Sequence, residues 1–175
     1  MAKKRTKKRG VPKKYRLFYY SFWAIFILAL EISCSYDGQI VRHEFVNGWK
    51  NSEVVELNFS NNTDNPNNDL FFVLRHEKSY KFSNIFLISS LKLNGKENVI
   101  DTIEYTLSQP SGKWNGETKI STVEHILKYK NNIRLIKDSL NTLTVRNSMR
   151  RNSEISPIEN LESVLDIGLL IQPVN

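Results

Sequence analysis

Apolar and polar side chains alternate along much of the chain beyond residue 40, and this period of two restricts the folds that the chain can adopt. Residues 55–59 and 165–171 place an apolar side chain at every second position. Successive side chains of a β-strand point to opposite faces, so an alternating segment buries one face of a sheet and exposes the other. The period of 3.6 residues that marks an amphipathic helix is almost absent. The pattern therefore predicts an all-β fold.

Turn-forming residues divide this part of the chain into about seven to nine short strands, as in antiparallel sandwiches. Besides the two segments above, the runs are 70–74, 85–93, 99–107, 125–130, 133–136 and 140–149. Asn94-Gly95 favours a tight hairpin, because both residue types tolerate a positive φ. Loops are predicted at 61–69, 109–116 and 151–164, the last with one helical turn near 158–164. We expect a single-domain antiparallel β-sandwich over residues 45–175.

The last predicted strand gives the clearest assignment of faces. We expect the core to receive Leu165, Ile167, Leu169 and Ile171, and the outward face to carry Asp166 and Gln172. A slip of one residue would exchange the two faces, so this assignment also sets the register.

The positive charge of the chain belongs to its first 33 residues. Nine of the 25 basic side chains and one of the 18 acidic side chains lie there, which leaves 16 and 17 for the remainder and a net charge of −1. Nucleic-acid binding needs a strongly basic surface on the folded domain. We therefore expect no nucleic-acid partner.

Residues 1–33 have the layout of a secretory signal peptide. A basic block is followed by 14 uncharged residues, 17–30, and then by a small residue, Ser33. A membrane-spanning helix needs roughly 20 apolar residues. We assign residues 1–33 to a signal peptide and 34–44 to a tether, with an uncleaved N-terminal anchor as the alternative.

Cys34 is the only cysteine, so no intrachain disulfide can form. Its position just after the apolar run and Ser33 resembles the lipobox of bacterial lipoproteins, although Glu31 stands where an apolar residue is usual. We expect Cys34 to carry a lipid that anchors the protein to a membrane. The alternative is a free or buried thiol after ordinary signal cleavage.

Motifs for catalysis or metal binding are incomplete. His43-Glu44 and His76-Glu77 each begin like the HExxH zinc motif, but neither has the second histidine. We expect no catalytic residues, no metal, no cofactor and no small-molecule substrate. A small glycan-processing enzyme would need two carboxylates about 5–10 Å apart in a cleft.

Aromatic residues beside glycines are the other unusual feature. Trp49 follows Asn47-Gly48, and Trp114 lies between Gly112 and Gly116. Such rings can stack on sugars or anchor partner proteins. They can also close the ends of a sandwich, which is the role that we expect for Trp114. A carbohydrate-binding envelope module, which would expose Trp49 and Trp114, is the alternative.

An ordered series of short motifs over residues 45–172 resembles the gliding-motility lipoprotein family GldH of Bacteroidota. The residues of the series that we single out are Trp49, Arg75, Tyr80, Asn84, Phe86, Gly112, Trp114, Gly116, Met149, Arg150, Asp166 and Gly168. We refer to these twelve as the family-motif residues.

The resemblance implies a non-enzymatic envelope lipoprotein of the gliding and type IX secretion machinery. It would act through contacts with other envelope proteins, held by lipidated Cys34 with its domain in the periplasm, on the outer membrane. The family-motif residues would be structural or would contact a partner. The resemblance suggests that Gly168 meets a need for a small residue in a strand, that Asn84 serves as a turn or backbone-bonding amide, and that Arg75 pairs with a carboxylate.

Overall fold

A computed structural model describes residues 38–96, 99–151 and 154–174, and these residues form strands and turns without a helix. Eight strands have five or more residues and three have two. Their bounds are β1 Gln39–Glu44, β2 Trp49–Lys50, β3 Val55–Phe59, β4 Asn67–Glu77, β5 Asn84–Lys92, β6 Val99–Thr106, β7 Glu117–Thr118, β8 Thr122–Arg134, β9 Asn141–Asn147, β10 Asn160–Leu161 and β11 Val164–Pro173.

Two antiparallel sheets form a sandwich, which confirms the predicted fold class. One sheet has the strand order β1-β11-β4-β8-β7, and the other has the order β3-β9-β5-β6. The short strands β2 and β10 pair with each other. The β5–β6 hairpin turns at Asn94 and Gly95, whose φ angles of 50° and 72° are both positive as the sequence predicts.

The core lies between the two sheets and consists of the inward side chains of each strand. Leu57, Phe72, Leu87, Leu143 and Leu169 are all at most 2% exposed and belong to one apolar cluster. Burial of each such side chain stabilises the fold by about 1.5–3 kcal/mol. The alternation in the sequence therefore identifies the core of both sheets.

Three boundaries differ from the sequence prediction. Residues 39–44, assigned above to the tether, form β1 and pair with β11 from Gln39–Ile171 to Glu44–Asp166. A single strand, β8, replaces the two strands predicted at 125–130 and 133–136. The polar residues between the two predicted strands are accommodated by irregularities in the pairing of β8 with β4. There the Asp69 carboxylate accepts a hydrogen bond from the Asn132 N–H at 2.8 Å. The segment 158–164 contains β10 in place of a helical turn.

The outward and inward faces of β11 also need correction. A register shift between Val164 and Asp166 moves Leu165 out of the core cluster and brings Val164 into it. Ile167, Leu169 and Ile171 point into the core as predicted. Asp166 lies on the opposite face but is 0% exposed. The prediction was therefore correct about the face on which Asp166 lies and wrong about its exposure to solvent.

The signal peptide, Cys34 and the first part of the tether lie outside the described residues. In the described ranges, no helix is long and apolar enough to cross a membrane.

Candidate functional site at the distal end of the sandwich

The long strands run between two ends of the sandwich. We call the end at which Gln39 begins β1 the proximal end, and the opposite end the distal end. The distal end carries the connections 45–54, 78–83, 107–116 and 148–163, together with the short strands. With a rise of about 3.3 Å per residue, the eleven residues of β4 separate the two ends by about 33 Å.

Eleven of the twelve family-motif residues lie at the distal end. They fall in its connections or within three residues of the strand termini that adjoin them: Trp49, Arg75, Tyr80, Asn84, Phe86, Gly112, Trp114, Gly116, Met149, Arg150 and Asp166. Gly168 lies two residues deeper along β11. Residues that are scattered over 118 positions of the sequence, from 49 to 166, are thus brought together by the antiparallel topology.

Trp49 is a buried structural residue. It is 0% exposed, stacks on Phe45 with ring centroids 5.1 Å apart, and donates its indole N–H to the carbonyl of Glu53 at 3.2 Å. Gly48 before it has a φ of 78°, and a Cβ there would lie 2.5 Å from the Cα of Glu162. A fully buried Trp49 cannot stack on a sugar, which removes one of the two rings required by the carbohydrate-binding alternative.

A cluster of aromatic and imidazole rings lies beneath the loop that carries Trp114. Trp114 is half-buried, and its ring meets the ring of His76 edge-on at 4.7 Å. The ring of Tyr80 lies 4.9 Å from the ring of His76, and the Tyr80 hydroxyl donates to the carbonyl of Asn84 at 3.2 Å. The contact of Trp114 with His76 and the core is the arrangement expected of a capping residue. Burial raises the pKa of the Tyr80 phenol above its ordinary value, so it stays protonated.

His76 and His125 form a buried pair that the sequence does not reveal. Their Nε2 atoms are 3.0 Å apart, and Nδ1 of His76 is 2.7 Å from the carbonyl oxygen of Glu77. Because a carbonyl only accepts, Nδ1 of neutral His76 carries the proton, and its Nε2 accepts from the Nε2–H of His125. The one available signal is alternation: His125 falls between Val123 and Leu127, on the inward face of β8.

Burial favours the uncharged form of both imidazoles. It lowers the pKa of His76, although the bond to Glu77 opposes the change. Burial, and then the proximity of His76, lower the pKa of His125 to about 4. Gly116 allows this packing, because a Cβ there would lie 2.8 Å from Nδ1 of His125. Among the described residues there is no cluster of three or more His, Cys, Asp or Glu side chains that could hold a metal ion.

Asp166 is buried under two arginines on the outer face of the five-stranded sheet. Arg75 Nε lies 2.5 Å from one carboxylate oxygen, and Arg42 Nη1 lies 3.1 Å from the other. Arg75 thus pairs with a carboxylate as the resemblance suggested. Gly168 lets the Arg42 side chain cross β11, because a Cβ at this position would lie 2.9 Å from the Cγ of Arg42. The resemblance suggested a small residue at Gly168, and the Arg42 side chain that crosses β11 is the reason for it.

Basic side chains surround a cleft with an apolar floor at the distal end of the sandwich. The cleft encloses ≈ 360 Å³, and we define it by Lys81, Phe82, Phe86, Met149, Arg150 and Arg151. Asn84 at its edge donates its amide N–H to the Glu104 carboxylate at 2.6 Å. The resemblance suggested a turn or backbone-bonding amide, but the Asn84 amide binds a side chain. Gly112 has a φ of 81° and open space around it, in the exposed turn of the Trp114 loop.

Comparison with known proteins identifies the family. The family described as GldH lipoprotein matches residues 41–171. The gliding motility lipoprotein GldH homolog of Christiangramia forsetii is 28% identical over 151 residues, covering 86% of this chain and 93% of the relative. The gliding motility lipoprotein GldH of Flavobacterium johnsoniae is 26% identical over 151 residues, covering 85% and 94%.

Solved structures add nothing to this assignment. An exo-beta-1,3-galactanase from Phanerochaete chrysosporium, crystallised with galactose, has a TM-score of 0.32 and 13% identity over 75% of this chain and 29% of its own. A similarity this low carries no argument. The family match, in contrast, extends from β1 to β11 and includes both sheets. The chain belongs to the GldH lipoprotein family.

Proposed function

We propose that the protein is a non-enzymatic lipoprotein, held in the outer membrane by a lipid on Cys34, that serves gliding motility and type IX secretion through protein contacts in the periplasm. The family and the names of its relatives support a lipid-anchored envelope protein of gliding motility. Cys34 supports the anchor, since it is the only thiol in the chain and follows the apolar run.

The observation that carries the proposal is the collection of family-motif residues at one end of the sandwich. Gln39 begins β1 at the proximal end, five residues after Cys34. Five residues reach at most about 18 Å when fully extended. An anchor on Cys34 would therefore keep the proximal end near the membrane, and the distal end would be available for contacts with other proteins.

The anchor is tested by metabolic labelling with a palmitate analogue. Wild type and Ser35→Ala, a matched control at the adjacent position, should be labelled and processed. Cys34→Ala should lose the label and keep its leader, because the processing peptidase of lipoproteins acts on the modified cysteine. Equal labelling of Cys34→Ala and wild type would contradict the proposal. Separation of inner and outer membranes then tests the location, with the wild type expected in the outer membrane.

Complementation tests the biological role. In a strain that lacks the native gene, the wild type and Ser35→Ala should restore both gliding and secretion of type IX substrates, and Cys34→Ala should restore neither. Restored gliding without restored secretion would remove type IX secretion from the proposal. Full activity of unlabelled Cys34→Ala would show that the anchor is dispensable.

A further inference from the structure

The cleft defined by Lys81, Phe82, Phe86, Met149, Arg150 and Arg151 combines positive charge with an apolar floor. All three cations are exposed. In the described part of the chain neither Lys81 nor Arg150 has a salt-bridge partner, and Arg151 lies 3.8 Å from Glu154, with both side chains more than half exposed. Exposed pairs of this kind contribute at most about 1 kcal/mol, so Arg151 can exchange its partner.

This concentration of charge is a local property. The chain beyond residue 33 has a net charge of −1, so three cations around one cleft do not follow from its composition. The nearby carboxylate of Glu104 accepts a hydrogen bond from Asn84 and is a cross-strand neighbour of Phe86. Glu104 does not line the cleft, whose lining among the described residues contains three cations and no carboxylate, so the cleft is suited to an incoming anion.

The floor of the cleft is apolar and held by the sheet. Met149 is 2% exposed, and its sulfur accepts the backbone N–H of Phe86 at 3.2 Å. The Ser148 N–H donates to the carbonyl of Phe86 at 2.9 Å, and Phe82 and Phe86 are both half-buried against the core. A floor that is already ordered loses little conformational entropy when a ligand binds.

Backbone contacts also hold the chain segments that carry the charged side chains. The Leu107 N–H donates to the carbonyl of Ser83 at 2.7 Å, which holds the segment that carries Lys81 and Phe82. Arg150 is bridged to Pro157 in an antiparallel contact. Guanidinium groups bind carboxylates through two parallel hydrogen bonds, and the half-buried rings of Phe82 and Phe86 offer apolar surface to a ligand. An acidic peptide with an apolar residue fits both parts of the cleft.

The location of the cleft favours a protein over a lipid surface. Asn84 at the cleft and Lys92 at the proximal end are separated by the nine residues of β5, about 26 Å. The proposed anchor holds the proximal end, so the cleft lies at the end away from it. Resting on that proposed function, we propose that the cleft binds an acidic segment of a partner protein, in which two or more Asp or Glu residues flank an apolar side chain.

A direct binding experiment with the full lipidated chain in neutral detergent tests this inference. The probe is a fluorescent peptide, Asp-Glu-Phe-Glu-Asp, and binding is measured by polarisation. Wild type should bind it, and Lys81→Glu combined with Arg150→Glu should bind at least about tenfold more weakly, because like charges then face each other. Lys92→Glu combined with Arg134→Glu makes the same change of net charge at exposed positions of the proximal end and should bind like wild type. Replacement of the peptide's Phe by Ala should weaken binding to wild type.

Three results of the binding experiments would overturn the inference. The first is absence of peptide binding at wild-type protein concentrations up to about 1 mM. A Kd of about 1 mM corresponds to a binding free energy of only about 4 kcal/mol. The second is equal binding by the cleft and proximal variants. The third is binding of wild type, but not of the cleft variant, to vesicles of phosphatidylglycerol and phosphatidylcholine without any binding of the peptide, which would assign the cleft to a lipid surface.

Palmitate labelling and unfolding of the cleft variant separate this inference from the proposed function. Both substituted side chains are exposed, so the variant should fold, carry its lipid and reach the membrane like wild type. If it does so and loses gliding together with peptide binding, the inference is supported. If Cys34→Ala proves fully labelled and active, the proposed anchor fails, whereas the peptide affinities still decide what the cleft binds. Normal gliding by a variant that no longer binds the peptide would contradict the role of the cleft.

Discussion

Removal of both arginines that cover Asp166 should destabilise the protein by more than the sum of the two single removals. Asp166 is 0% exposed, whereas the side chains of Arg42 and Arg75 are 29% and 36% exposed. Arg75→Met leaves Arg42 beside the carboxylate, so we expect the loss of one charge-assisted contact, about 1.5–3 kcal/mol. Arg42→Met with Arg75→Met leaves a buried carboxylate without a cation, for which we expect a total loss above the sum of the single changes, that is, above about 3–6 kcal/mol.

Two further variants show whether the buried charge is the cause. Glu44→Gln alters a carboxylate that is 79% exposed and 3.9 Å from Arg75, and should change the free energy of unfolding by less than about 0.5 kcal/mol. Asp166→Asn, added to the double arginine variant, should recover part of the loss, because a neutral amide is buried at lower cost than a carboxylate.

Urea unfolding of a soluble form that begins after Cys34 measures these differences, with the fluorescence of Trp49 and Trp114 as the signal. The slope of free energy against urea should stay constant across the series. If the double arginine variant is no less stable than Glu44→Gln, or if Asp166→Asn gives no recovery, then Asp166 is hydrated in solution and the reasoning is wrong.

Three other perturbations follow from the same structure. Leu169→Ala should lose roughly 2–5 kcal/mol and Gln172→Ala under about 0.5 kcal/mol, and equal melting temperatures would contradict the face assignment of β11. Trp114→Ala should lose about 2–3 kcal/mol, less than the 3–5 kcal/mol of a fully buried ring; normal melting and membrane abundance with lost gliding would instead make Trp114 a partner contact. The free energy of unfolding should fall as the pH decreases from about 6.5 towards 4, because the histidines of the unfolded chain take up protons that buried His76 and His125 do not. The loss should be up to about 1.4 kcal/mol per pH unit for each histidine. His125→Gln should reduce this slope in urea unfolding series at each pH, and an unchanged slope would show that the pair is not the titrating group.

The local sequence predicts those elements whose geometry depends on near neighbours. Alternation in 55–59 and 99–107 reproduces β3 and β6 almost to the residue, because a side-chain period of two is a property of the extended backbone. The hairpin at Asn94-Gly95 is predicted for the same reason, since positive φ angles at two consecutive positions depend on the residue types that occupy them.

The errors occur where a distant strand decides the outcome. Gln39–Glu44 looks like a tether in sequence, and only the presence of β11 makes it a strand. Asp166 looks solvated because the local pattern alternates, but Arg42 and Arg75, which are 124 and 91 positions away, cover it. The register shift at Leu165 is likewise set by the pairing with β4 and not by the residue itself.

The sequence alone determined that this chain is an all-β protein with a charged leader, a single cysteine behind it, and an ordered set of motifs that identify its family. Tertiary structure alone decided what those motifs form. Antiparallel strands carry residues that are far apart in sequence to the same end of the sandwich, and there they build a buried histidine pair, a covered carboxylate and a basic cleft with an apolar floor. Side-chain period is encoded locally, whereas burial, ion pairing and pKa depend on which strands become neighbours, and that choice is made by the packing of the whole domain.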